Sequence, residues 1–310
     1  MADEEWEWAV DEEWAEDNLF INLNIMDLFI KSLLASVKIT LIIFVLMIAV
    51  EILVLKYQTK IVSLAYKNKF LSYLISAFFG IIPGCVGTFV IDSLYMSGLL
   101  GFGGIIAVMI ATSGDEAFLM MAMAGKGEIK WSILFALVLI LFVLGIIGAF
   151  FADYFKDKMN FKFCERCRIV HHQINEFKLK HFLKEHIYSH IIKKHIWQIF
   201  LWLFFAIYVI SLVSGIIDTE TIFQASNLVY VLLIAALIGI LPISGPNIFL
   251  LVLFAKGLIP FSILLANSII QDGHGLLPIM GFSMDDALKI KLFNFIFGLL
   301  IGGALLFFGF

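Results

Sequence analysis

Apolar runs of membrane-spanning length recur along this chain, at about 27–55, 71–124, 131–152, 196–217, 228–281 and 290–310. A helix needs about 20 such residues to cross the hydrocarbon core, and a barrel strand only about ten with alternating character. The runs therefore predict an all-α polytopic membrane protein. Composition agrees, with 62% of the 310 residues apolar, 15% charged and a mean hydropathy of +1.01, outside the range of a soluble domain. The first twenty residues, MADEEWEWAVDEEWAEDNLF, hold nine acids and no Lys or Arg, so they lack the basic start of a signal peptide and read as an acidic tail with interfacial Trp side chains. Three Cys in no framework spacing do not suggest disulfides.

An internal repeat organises the chain. The segment from Gly80, GIIPGCVGTFVIDSLYMSGLLGFGGIIAVMIATSGDEAF, lies without a gap on the segment from Gly239, GILPISGPNIFLLVLFAKGLIPFSILLANSIIQDGHGLL, an offset of 159 positions. Gly80, Pro83, Gly98, Leu99, Phe102, Ala107 and Gly114 then meet Gly239, Pro242, Gly257, Leu258, Phe261, Ala266 and Gly273. The same shift is expected to carry the first apolar block onto 196–217 and the block at 131–152 onto the last one. The expected layout is an acidic extracytoplasmic tail (1–26), a first membrane repeat (27–152), a basic linker (153–195) and a second membrane repeat (196–310).

Lys and Arg collect in cytoplasmic loops. The loop after the first span has Lys56, Lys60, Lys67 and Lys69 and no acid, whereas the corresponding IIDTETIFQASN is acidic with no base, so the two face opposite sides. The linker carries ten Lys/Arg against five Asp/Glu, which puts it in the cytoplasm and both termini outside. The fold expected is two inverted repeats of about five transmembrane segments each, with Pro/Gly-broken or re-entrant helices. The breaks fall at GIIPGCVG, with Pro83, Gly84 and Gly87, and at GILPISGP, with Pro242, Gly245 and Pro246. Five short crossings per repeat, or three plus re-entrant hairpins, satisfy the parity; five is the first expectation.

Ionisable residues inside such segments are costly, about 2.5–3.5 kcal/mol for an Asp at a helix centre, and so mark function. SGDEAF (113–118) and DGHGLL (272–277) are the same element seen twice, since the offset sets Ser113 on Asp272 and Asp115 on His274. A twofold relation would gather Asp115, Glu116, Asp272 and His274 at mid-depth, where they could share a proton, a metal ion or both. Carboxylate and imidazole suit manganese, iron or zinc, with Thr112, Ser113, Asn267 and Gln271 completing an oxygen-rich shell. Asn247 and Ser244, with Thr88 and Cys85 opposite them, are further contributors. Asp92, which aligns with apolar Leu251, and Glu51, five positions before Lys56, are weaker candidates.

Two other readings stay open. The broken helices could cradle an anion such as a metalloid oxyanion or lipid phosphate, against which stand the acids and the expected absence of Lys or Arg near them, though Lys256 could reach from a helix end. An intramembrane enzyme could use Asp115 and Asp272 as a dyad, although no HExxH, nucleophile elbow or P-loop is present. The linker holds two of the three Cys and six of the seven His. On a helix, Cys164, Cys167 and His171 would share a face and His186 and His190 would form a chelating pair; a basic helix on anionic lipid is the equal alternative.

On IPGC.GT, ATSGDEAF, LPISGPN, GLIPFSILLANSIIQDGHGLLP and the Cys/His linker before HIWQIFLWLFF, the chain resembles the ten-span heavy-metal exporter family, whose members are labelled arsenic efflux proteins or manganese transporters. The resemblance covers about 30–310 and implies a polytopic carrier exporting metal or metalloid, with Asp115, Glu116, Asp272 and His274 at the motif positions. The expectation is a non-enzymatic, proton-coupled secondary transporter of a manganese-like divalent cation in a prokaryotic inner or plasma membrane. It needs no cofactor beyond the transported metal ion and H+. Its partners are the lipid bilayer and the ion, with a homo-oligomer open and no nucleic acid.

Overall fold

The computed structural model describes residues 26–45, 48, 68–96, 98–159, 196–216, 227–242 and 245–309. Among these the ordered elements are helices, without a strand. The first half contains α1 (Met26–Val45), α2 (Lys69–Gly80), α3 (Val86–Met96), α4 (Phe102–Ala111), α5 (Glu116–Gly125) and α6 (Trp131–Met159). The second contains α7 (Trp197–Ile216), α8 (Leu228–Ile240), α9 (Gly245–Ala255), α10 (Phe261–Ile270), α11 (Leu276–Phe282) and α12 (Met284–Phe307). Glu51, Ser244 and the linker residues Cys164, Cys167, His171, His186 and His190 lie outside the described residues.

The 159-residue offset holds for the elements. It carries the bounds of α3 onto α9 and those of α4 onto α10, and it sets the left-handed Gly98 and Gly114 (φ 72° and 50°) on Gly257 and Gly273 (φ 73° and 51°). The expectation for the last helix needs correction. Gly145 of α6 sits on the Ala107 carbonyl and Gly298 of α12 on the equivalent Ala266 carbonyl, so these helices correspond at a spacing of 153. Fewer residues separate α10 from α12 than α4 from α6, which shortens the path by six. The packing pattern is unchanged when the halves are exchanged: α5 on α9 mirrors α11 on α3, α6 on α10 mirrors α12 on α4, and α4 meets α10 at the centre.

Small residues set the helix directions. A Cβ on Gly103 would strike the Tyr73 ring at 2.6 Å, and one on Gly80 would strike the Val108 carbonyl oxygen at 2.7 Å, so α2 and α4 run parallel at close range. Thr88 at the start of α3 bonds Thr112 at the end of α4, so α3 runs back beside them and forms a helical hairpin with α2. α6 is antiparallel to α4, since Gly145 meets Ala107 and Gly103 meets Ala149. In the second half Gly239 abuts Asn267 and Ile270, while Gly298 and Gly302 abut the Ala266 and Ser262 carbonyls, giving the same arrangement. All of α4 and all but Phe261 of α10 are buried. Exposed stripes at helical spacing, Phe135, Leu139, Val143 and Ile147 on α6 and Leu288, Leu292, Ile296 and Leu300 on α12, give the outer helices their lipid faces.

Ten-residue α4 spans about 15 Å, half the hydrocarbon thickness. It stops because Thr112 turns to extended backbone (ψ 126°), as Gln271 does after α10 (ψ 128°), and because Gly114 and Gly273 then enter the left-handed region, which costs other residues about 1–2 kcal/mol. At its other end α4 is capped from α6. Asp153 Oδ1 accepts the Gly103 N–H at 2.8 Å while Oδ2 accepts the Tyr73 hydroxyl. Asp153→Ala is expected to cost about 1–2 kcal/mol, read as a lower unfolding midpoint in detergent, with Asp153→Asn milder; unchanged midpoints in both would show that the cap contributes nothing.

Candidate functional site

Three interruptions of helix meet at one depth: the α2–α3 tip (Ile81–Cys85), the α4–α5 break (Thr112–Asp115) and the α10–α11 break (Gln271–Gly275). The Gly84 N–H donates to the Gly114 carbonyl at 3.0 Å, and the Thr88 and Thr112 hydroxyls share a 2.8 Å hydrogen bond. Thr88 also fills the space where a Cβ on Gly275 would stand. The first hairpin tip is thus wedged between the two breaks.

Cys85, Asp115 and His274 converge there, with one potential ligand atom from each lying within 4.8 Å of the others. His274 Nδ1 stands 3.8 Å from Asp115 Oδ2, and the His274 backbone N–H is directed at the Cys85 sulfur. A tetrahedral zinc-like shell, with bonds of about 2.0–2.3 Å, sets ligands about 3.4–3.8 Å apart, so the trio closes on an ion with a shift of roughly 1 Å. Cys85 and Asp115 are buried, and His274 keeps 14% of its side chain exposed, which makes it the member nearest an opening.

The other expected residues divide. Glu116, at the start of α5, accepts from Gln271 Nε2 (3.2 Å). Gln271 in turn accepts from Asn247 Nδ2 (3.3 Å), and Asn247 accepts from Asn267 Nδ2 (3.0 Å), which also reaches the Ala235 carbonyl (2.9 Å). This amide ladder ties the first half to α8, α9 and α10. Thr112 is engaged by Thr88, and the buried Ser113 hydroxyl has no hydrogen-bond partner among the described residues. Pro83 and Gly84 form the first tip; Gly87 presses on the Phe79 carbonyl; Pro242 follows α8; Gly245 and Pro246 open α9, with Gly245 against Trp202 of α7.

Asp272 does not join the trio. The expectation that no Lys or Arg stands near the acids is overturned by Lys291 of α12, whose Nζ lies 2.7 Å from Asp272 Oδ2, while Asn294 Nδ2 donates to Oδ1 at 2.7 Å. Lys291 also donates to the Gly239 and Ile270 carbonyls, at 2.8 and 2.9 Å, which end α8 and α10. Lys291 was missed because it opens an apolar span and reads as an interfacial lysine. The signal that could have found it is its i, i+3 pairing with Asn294, which puts two polar side chains on the face that α12 buries.

What this constellation serves is narrowed by kinship. The chain matches the family model described as "Putative, 10TM heavy-metal exporter" over residues 18–206 and 195–309. It belongs to that family. Characterised proteins and solved structures give no match. A heavy-metal exporter of this family is a multi-pass membrane protein, and among the described residues four spans here, α1, α4 with α5, α6 and α12, are long and apolar enough to cross.

The exporter's buried ion pair generates a thermodynamic test. Removing one member of a buried pair costs about 3–5 kcal/mol, whereas removing both is far milder. Lys291→Met and Asp272→Asn singly are expected to destabilise the protein by that order in reversible unfolding, and the double variant to recover much of the loss. Additive effects would show that the two groups act independently.

Proposed function

We propose that this exporter is a secondary transporter that carries a divalent transition-metal ion out of the cell, binding it between the halves at Cys85, Asp115 and His274. The observation that carries this reading is the meeting of sulfur, carboxylate and imidazole from two halves at a point where helix is interrupted. Thiolate and carboxylate together balance a 2+ charge, which keeps the loaded site neutral in a medium where net charge is costly. Glu116, the residue after Asp115, offers a further oxygen. The sulfur favours zinc- or cadmium-like ions over manganese, which prefers all-oxygen shells.

The anion-cradle reading is less well supported, because Lys291 is taken up by Asp272 and two carbonyls, and Lys256 is turned to Ser211 of α7. In our reading the ten apolar segments make six crossings and two re-entrant hairpins, α2–α3 and α8–α9. This follows from the parallel course of α2 with α4 and of α8 with α10. The ends that meet near Tyr73, Gly103 and Asp153 also gather Lys69, Lys156 and Lys158, which suits a cytoplasmic face. The corresponding ends of the second half follow the acidic IIDTETIFQASN segment, as an inverted repeat requires. Alternating access would then expose the His274 side of the site to one compartment at a time.

Zinc flux into proteoliposomes is expected to fall more than about tenfold in Asp115→Asn and in His274→Ala, with folding retained. Cys85→Ser is expected to shift the preference from zinc or cadmium toward manganese. Full zinc flux in Asp115→Asn and His274→Ala together would reject the site.

A further inference from the structure

Asp92 is a buried acid that the ion site does not use. It lies on α3 two turns from Cys85, at i, i+7 and so on the same helical face. It is 0% exposed, and neither carboxylate oxygen has a hydrogen-bond partner among the described residues. The repeat supplies an internal control, because the equivalent position on α9 is Leu251, buried and apolar. The fold therefore accepts a hydrocarbon side chain at this place and has no structural need of an acid. An ionised carboxylate buried without a partner costs several kcal/mol, and the neutral acid far less.

Among the described residues the groups that face it are few. Asp272, held by Lys291 and Asn294, and the Cys85 thiol are within electrostatic reach. α4 and α11, which pack on α3, carry no ionisable side chain. α2 contributes Lys69 and Tyr73 only at its far end, where Tyr73 bonds Asp153. Tyr95, one turn beyond Asp92, interacts with Asp286 of α12.

We propose that Asp92 is the proton-binding residue of proton-coupled metal transport, linked to the ion site through helix α3 so that proton and metal are bound together. The step is a protonation alone: carboxylate plus H+ gives carboxylic acid, with no redox change. With the proton on, α3 lies as observed, with neutral Asp92 buried within reach of Asp272. With the proton off, a second negative charge stands within reach of Asp272, and this buried, unneutralised charge pushes α3 from its position. Because Cys85 immediately precedes α3, the same displacement draws the sulfur from the ion. Proton and metal thus influence one another through one element with two arrangements. The proposal rests on the ion site argued above.

The test uses the full chain in proteoliposomes with Zn2+ as probe, an imposed pH gradient and a pH-sensitive dye in the lumen, beside Zn2+ binding in detergent. Asp92→Asn is expected to bind Zn2+ and to exchange Zn2+ for Zn2+, while gradient-driven Zn2+ accumulation and Zn2+-driven proton movement fall by more than about tenfold. Asp92→Leu, the residue of the other half, should fold and behave likewise, and Asp92→Glu should restore proton movement. Coupling of unchanged size in Asp92→Asn and Asp92→Leu overturns the proposal, as does loss of Zn2+ binding in both. Absence of Zn2+ binding and flux in the unsubstituted protein would overturn the ion-site reading itself, and the coupling with it.

Discussion

A helix that stops inside a bilayer leaves carbonyls and N–H groups where water cannot reach them, and this chain stops helices at several such places. Each loose end must find a partner, and what it finds decides the architecture. In the first half the Gly84 N–H meets the Gly114 carbonyl, so one interruption satisfies another. In the second half Lys291 does the work. All three of its ammonium protons are used, on the last turns of α8 and α10 and on Asp272. A cation set at two helix C-termini also meets the negative ends of both dipoles. The pair Lys291–Asp272 is thus a double C-cap with its counter-ion, which explains why Asp272 is not turned to the trio.

The repeat supplies a symmetric scaffold, and the residues on it are not symmetric. Equivalent positions hold Asp115 and His274, Ser113 and Asp272, Thr112 and Gln271, Thr88 and Asn247, Asp92 and Leu251. The first half contributes acid and sulfur; the second contributes imidazole, amides and the lysine. Unlike residues at equivalent positions therefore gather acid, sulfur and imidazole at one place, the mixed set on which the proposed cation site rests. Two identical carboxylates would instead have faced each other with nothing between them.

Much of this was legible in the residues. The matched Gly/Pro clusters fall at the breaks between α2 and α3 and between α8 and α9, and the alignment paired Asp115 with His274, which stand 3.8 Å apart and each follow a left-handed glycine at the same offset. The parts that were not legible depended on which side chains cross between elements. Lys291 stands 19 positions from Asp272, with α11 between them, and no periodicity announces that α12 doubles back over the ends of α8 and α10. Cys85 seemed secondary because its equivalent is Ser244, yet the wedge of the first tip between the two breaks makes it central. The six-residue slip of the last helix was hidden for the same reason: apolar helices align at many registers, and only Gly145 and Gly298, each against a carbonyl, fix the true one.

The two halves are also held with unequal strength around the site, and this bears on which part can move. The α8, α10 and α12 bundle is joined by the Lys291 contacts, by Asn294 on Asp272 and by Asn267 on the Ala235 carbonyl, with charge-assisted bonds among them worth about 1.5–3 kcal/mol each. The first hairpin is fastened to the α4–α5 break by one backbone bond and one hydroxyl pair, both neutral and worth about 0.5–1.5 kcal/mol each. At the breaks, the tip that carries Cys85 is thus held by weaker bonds than the His274 side, which is anchored next to Asp272.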